Sequence, residues 1–124
     1  MSVHCRIIAG PTVEIKKNLT HADFKKYHDF IDKHPDLEDD YNRLHLPGDK
    51  LILFADGMNG CYERLVYVQK VTEDARLSRN SDMEELNVPI TEDIITLMQS
   101  VYKEYTGQDL MPDAIRYCIW TQWT

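Results

Sequence analysis

The 124-residue sequence lacks every short motif that would fix a chemistry at once. GxxxxGKS/T and GxGxxG are missing, so no phosphate or dinucleotide cradle is indicated. HExxH and CxxC are missing too, which removes the best-specified metal and paired-thiol sites. No run approaches the ~20 apolar residues of a membrane-spanning helix. The opening MSVHCRIIAG has too short an apolar stretch and too little basic lead-in for a secretory leader. Cysteine is scarce: Cys5, Cys61 and Cys118 are an odd number at wide separations, which suits reduced thiols and offers no disulfide framework. These absences predict a cytoplasmic chain without a membrane partner.

Positive charge is also in deficit, with 14 Lys and Arg against 21 Asp and Glu and a formal net charge of −7. Such a field repels phosphate backbones and attracts basic surfaces, so the sequence predicts a basic protein partner and no direct nucleic-acid contact. With 43% hydrophobic residues, the length and composition predict one domain spanning residues 1–124 with its own core.

What is present reads as an ordered alternation of elements. In LTHADFKKYHDFIDKHP, Thr20 is an N-cap, Asp23 completes a capping box, and Leu19 and Phe24 form a hydrophobic staple. Phe24, Tyr27, His28 and Ile31 then share a helical stripe, and Pro35 ends it. In PITEDIITLMQSVYKEYTG, Thr91 caps, Glu92 and Asp93 suit the positive end of the helix dipole, and Gly107 suits a left-handed terminus. Its predicted buried face is Ile94, Leu97, Met98, Val101 and Tyr105. Between the helices, residues 50–55 and 61–71 read as an antiparallel pair turning at Asn59 and Gly60. VHCRIIA supplies an opening strand, which GPTVEIKK extends or folds back upon, and AIRYCIWTQW supplies a closing one. The order β-α-β-β-α-β predicts an α+β fold of ferredoxin-like type, a four-stranded antiparallel sheet with two helices on one face.

In the last strand Ile115, Tyr117, Ile119 and Trp123 would face the helices, while Arg116, Cys118, Trp120 and Gln122 would face away. That second face is expected to be open, making Trp120 and Arg116 a partner-binding pair. The alternative is that Trp120 packs beneath the 72–89 connection or caps the sheet edge. In that connection, the spacing of Ser81 and Glu84 predicts a capped helical turn through Met83 and Leu86. A further partner-binding candidate is the acidic stretch Asp36, Glu38, Asp39, Asp40 with the aromatic Tyr41, for which a solvated loop is the other reading.

No catalytic residue, metal ligand or cofactor is nominated. His28 reads as a core histidine, the cysteines as small strand residues, and Asp56, before Gly57, as a turn carboxylate with a weaker metal-binding reading. Two functions are consistent with this pattern. One is an acidic inhibitor or immunity-type protein that neutralises a basic, nuclease-like or nucleic-acid-handling partner, as in a phage–host or toxin conflict. The other is a homodimer packed through the open sheet faces, enclosing a small-molecule pocket lined by His4, Arg6, Tyr62, Arg64, Arg116 and Trp120.

Overall fold

The computed structural model describes residues 5–38, 49–57, 61–72 and 83–123, with Cys5 and Trp123 described in their backbone alone. The elements follow in the order β1 (Cys5–Lys17), α1 (His21–Lys33), β2 (Lys50–Asp56), β3 (Tyr62–Val68), β4 (Lys70–Thr72), β5 (Glu84–Glu85), α2 (Glu92–Thr106) and β6 (Arg116–Trp123). Short 3₁₀ turns at Pro35–Leu37 and Pro112–Ala114 follow the two helices. The chain is thus α+β, with two helices and a sheet whose strand pairings are all antiparallel. The sheet runs β2-β3-β1-β6-β5, and β4 pairs with β1, so it is larger than the expected four strands. Among the described residues no helix is long and apolar enough to cross a membrane.

The local signals act as their chemistry dictates. Thr20 and Asp23 form a reciprocal capping box, the Thr20 N–H donating to Asp23 Oδ2 at 2.8 Å and the Asp23 N–H to Thr20 Oγ1 at 3.3 Å. Lys16 reaches the same carboxylate at 2.8 Å. Its ammonium and the Thr20 N–H together hold Asp23 well below the usual carboxylate range, at about 2. Thr91 occupies the N-cap of α2 with extended backbone but no side-chain cap bond, and Gly107 ends that helix at φ +75°, its N–H donating to Lys103 O at 2.8 Å. The Glu84–Glu85 segment is a strand paired with Ile119 and Cys118, not the helical turn that its capping spacing suggested. Two expected turn and cap signals, Asn59 with Gly60 and Ser81, lie outside the described residues.

Alternation along the strands assigns two faces. Val13, Leu51, Leu53, Leu65 and Ile115 point to the side where Tyr27 and Ile31 of α1 and Met98 and Tyr105 of α2 are buried. The predicted parity of the last strand therefore stands at Ile115, and both helices cover that face. Two positions on the helices depart from expectation. His28 is exposed on the flank of Tyr27, and Leu97 is 43% exposed, because the α2 stripe is centred between Ile94/Ile95 and Val101/Tyr102 and passes through Met98.

The opposite face is the main correction. It was expected to be open, yet Ile8, Ile52, Phe54, Tyr62, Val66, Val68, Cys118 and Trp120 form a second buried cluster there, with Val71 and Met83 packed against it. The reason lies in how the sheet bends. Between the pairs Ala9↔Lys70 and Thr12↔Val66, β1 supplies Gly10 and Pro11 while the β3–β4 side supplies Tyr67, Val68 and Gln69, one residue more. This bulge sharpens the local twist. It is tolerated because a Cβ on Gly10 would lie 2.0 Å from the Tyr67 carbonyl oxygen, a separation only a glycine permits. In a flat sheet β2 and β6, three strand spacings apart, would stand about 14 Å from one another. Instead Phe54 of β2 and Trp120 of β6 meet edge-to-face with centroids 5.1 Å apart, and Asp56 of β2 accepts a hydrogen bond from Gln122 of β6 at 3.0 Å. The sheet curls around this second face and fills it.

Replacing Gly10 by Ala should therefore destabilise the fold by about 1–3 kcal/mol or more, since the colliding atom is backbone and no side chain can swing aside. Urea denaturation measures it. A change within about 0.5 kcal/mol, the range of an ordinary surface substitution, would show that the bulge does not constrain the sheet.

Candidate functional site

The nominated residues separate into three places. The first is the inner side of the curl. Arg6 lies opposite Gln122 in the β1–β6 register, and its Nε donates to Gln122 Oε1 at 2.7 Å, with Nη2 donating to the same oxygen. The amide nitrogen of Gln122 donates in turn to Asp56 Oδ2, which also accepts from the Tyr62 hydroxyl at 3.3 Å. Beside this chain of bonds, the Arg64 guanidinium lies 3.7 Å from the Tyr62 ring centroid and 4.9 Å from that of Trp120, with Nε 3.5 Å from Glu14 Oε2. A cation held between two aromatic faces and a carboxylate gains what buried charges require, namely desolvated but compensated contacts.

All of these side chains are inside. Arg6, Asp56, Tyr62 and Arg64 are each at most 5% exposed, and Trp120 is 1% exposed. Trp120 is therefore not the exposed aromatic expected of a partner-binding surface; together with Met83 of the 72–89 connection it belongs to the second buried cluster. Arg6, Tyr62 and Arg64 lie together in a buried network and do not line an open pocket; within it Arg64 Nε and Trp120 Nε1 make no hydrogen bond among the described residues. His4, the fourth member of that set, lies outside the described residues. The continuous apolar runs LILF in β2 and LVYV in β3 were the sequence signal for this, because a strand buried on both faces loses its alternation.

The second place is the β2 edge. Asp36 and Glu38 are exposed there, and Glu38 makes a parallel bridge to Leu53. Asp39, Asp40 and Tyr41 lie outside the described residues. The third place is the opposite edge of the sheet, where Nη1 of Arg116 on β6 donates to both oxygens of Glu85 at 2.8 and 3.0 Å. That carboxylate keeps the guanidinium firmly charged. Of the expected partner-binding residues, Trp120 is internal, the exposed Asp36 and Glu38 lie by β2, and the exposed Arg116 lies on β6.

An excess of exposed acids falls in the segment that contains the third place, although Glu104 of that segment pairs with His34 at the end of α1 at 3.0 Å. In residues 83–123 the exposed acids are Glu84, Glu85, Glu92, Asp93, Glu104, Asp109 and Asp113, against Lys103 and Arg116. Both cations are already paired, Lys103 with Asp109 at 3.0 Å and Arg116 with Glu85. Residues 5–33 have the reverse balance, with Lys16, Lys17, Lys25, Lys26 and Lys33 exposed against Asp29 and Asp32. Within the acidic half, an open groove of about 630 Å³ lies between β5 and the approach to β6.

The remaining titratable groups among the described residues have structural settings. Burial pushes the Cys118 thiol up, away from the thiolate a nucleophile needs. Cys118 pairs in register with Gly10 while Cys5 pairs with Trp123, so the first and last strands do not bring these two cysteines opposite each other. Cys61 is half-buried in the turn before β3. On the helix face, the Tyr105 hydroxyl donates to Glu63, and burial raises both groups, which keeps the hydroxyl protonated. Among the described residues no group of three or more His, Cys, Asp or Glu side chains is arranged to hold a metal ion. No protein-family model, curated protein or solved structure matches this chain.

Two expectations follow from these environments. Trp120→Ala should cost about 3–5 kcal/mol, the loss of a fully buried aromatic, and urea denaturation that finds less than about 0.5 kcal/mol would return Trp120 to the surface. Glu63 has a folded-state pKa raised above its ordinary 4.5, so the native state keeps the proton to higher pH than the unfolded chain does. Its contribution is most favourable below 4.5 and declines as pH rises toward the folded value. Glu63→Gln should remove that decline, so the variant gains stability relative to wild type as pH rises through this window. A difference that stays constant with pH refutes the assignment.

Proposed function

We propose that the chain is a small acidic protein-binding module, an inhibitor or immunity-type protein, that neutralises a basic partner of the nuclease or nucleic-acid-handling kind. The observation that carries this reading is the unequal distribution of exposed charge: carboxylates crowd β5, the start of α2 and the approach to β6, while the two cations among them are held in ion pairs. A surface of this kind attracts a basic partner over several ångströms and accelerates encounter, more than it strengthens the final complex. The exposed Asp36 and Glu38 by the far edge of the sheet extend the acidic field without belonging to the same patch.

The small-molecule alternative draws less support. Its pocket required an open sheet face, and Arg6, Tyr62, Arg64 and Trp120 spend their contacts on one another and on Asp56, Gln122 and Glu14. As topology, the reading we favour is a ferredoxin-like core elaborated at its rim. Support comes from the β2-β3-β1-β6 order of the four long strands, with α1 after β1 and α2 before β6.

The test is affinity capture of partners from the native cell followed by stopped-flow association with the captured basic protein. Reversing Glu92 and Asp93 to lysine should slow association about ten-fold or more at low salt, and added salt should slow the wild type toward the variant. Capture of only neutral or acidic proteins, or an association rate indifferent to salt and to both reversals, rules the reading out.

A further inference from the structure

We propose that the groove between β5 and the approach to β6 receives a lysine or arginine side chain from an extended segment of the protein partner. This rests on the acidic-module reading and locates its contact. The groove has a mixed lining: Leu86, Val88 and Ile115 contribute apolar surface, and Glu85, Asn87, Asp113 and Arg116 contribute polar and charged groups. Val88 is 41% exposed and Met111, two residues ahead of Asp113, is 64% exposed, so two of the three large hydrophobic side chains most open to solvent among the described residues lie at or near this groove.

The chemistry of the lining selects the occupant. A long cationic side chain has an apolar stem and a charged head, and it is stabilised where an apolar floor ends at a carboxylate. The exposed Val88 and half-buried Leu86 offer apolar contact for the stem. Asp113 offers the carboxylate: it is exposed and, among the described residues, makes no ion pair. Arg116 does not repel the newcomer strongly, because both oxygens of Glu85 hold its guanidinium. The same bidentate pairing disfavours an incoming anion, which would have to displace Glu85 in the field of Glu84, Glu92 and Asp93. A wholly apolar occupant would bury the Asp113 and Glu85 carboxylates without compensation. Addition of a strand to the outer edge of β5 is a poorer fit, since β5 is only Glu84–Glu85 and Pro89 follows closely.

The experiment is amide-resolved NMR titration of the full chain with a short alternating leucine–arginine peptide, set beside its leucine–glutamate counterpart. The basic peptide should give saturable, salt-sensitive shifts at Glu85–Val88 and Asp113–Arg116, and the acidic peptide should give none. Asp113→Lys should weaken binding about ten-fold, and the milder Asp113→Asn several-fold, with the spectrum elsewhere unchanged as evidence of an intact fold. Shifts confined to Glu92, Asp93 or Asp36, or binding equal in all three proteins, would overturn the groove while leaving the acidic-module reading in place. If neither this peptide nor the captured basic partner binds anywhere, both fall together.

Discussion

The contact on which the rest of the molecule depends is the approach of Gly10 to the Tyr67 carbonyl. Where β1 offers Gly10 and Pro11, the neighbouring strand inserts one extra residue, and the sheet turns toward the face that carries no helix. Curling brings β2 and β6 within side-chain reach and lets Phe54, Tyr62 and Trp120 close over Arg64. A flat sheet of the same strands would leave those aromatics in water. Two arginines and a tryptophan that look like recognition residues are thereby converted into interior structure.

That conversion removes these side chains from the surface. With Arg6 and Arg64 enclosed, the exposed cations described in residues 83–123 are Lys103 and Arg116, each paired to an acid. The lysines of β1 and α1 lie in a different part of the chain. Among the described residues the exposed acids outnumber the exposed cations in residues 83–123, the segment that also lines the groove. Fold and electrostatics converge on one region because the other candidate region has been filled.

Much of this was legible in the residues, and the failures have specific causes. Thr20, Asp23 and Gly107 act through local hydrogen bonds and backbone preference, so their roles do not depend on distant packing. The strand order and the inward position of Ile115 follow from alternation, which is also local. The fate of Trp120 is not local. Its burial depends on a bend produced by Gly10 and Tyr67, far away in sequence, and on the unbroken apolar runs of β2 and β3, whose two-sided burial outranks a reading based on β6 alone. The strand order, which no local pattern reveals, sets Glu38 beside β2 and Arg116 on β6, with β3 and β1 between them. Glu84 and Glu85 were misread because capping chemistry and an edge strand make similar demands on a short acidic segment, and pairing with Ile119 and Cys118 prevails.

The parallel bridge from Glu38 to Leu53 has a consequence for the molecule in a crowded solution. A bare outer strand is a template on which a second chain can grow ribbon-wise, and β2 is long and apolar enough to serve as one. Glu38 engages that template in its middle and sets a carboxylate beside it, while the far rim ends in two glutamates followed by a proline. Among the described residues, carboxylates thus stand at both ends of the β2-to-β5 strand order, where they disfavour ribbon growth.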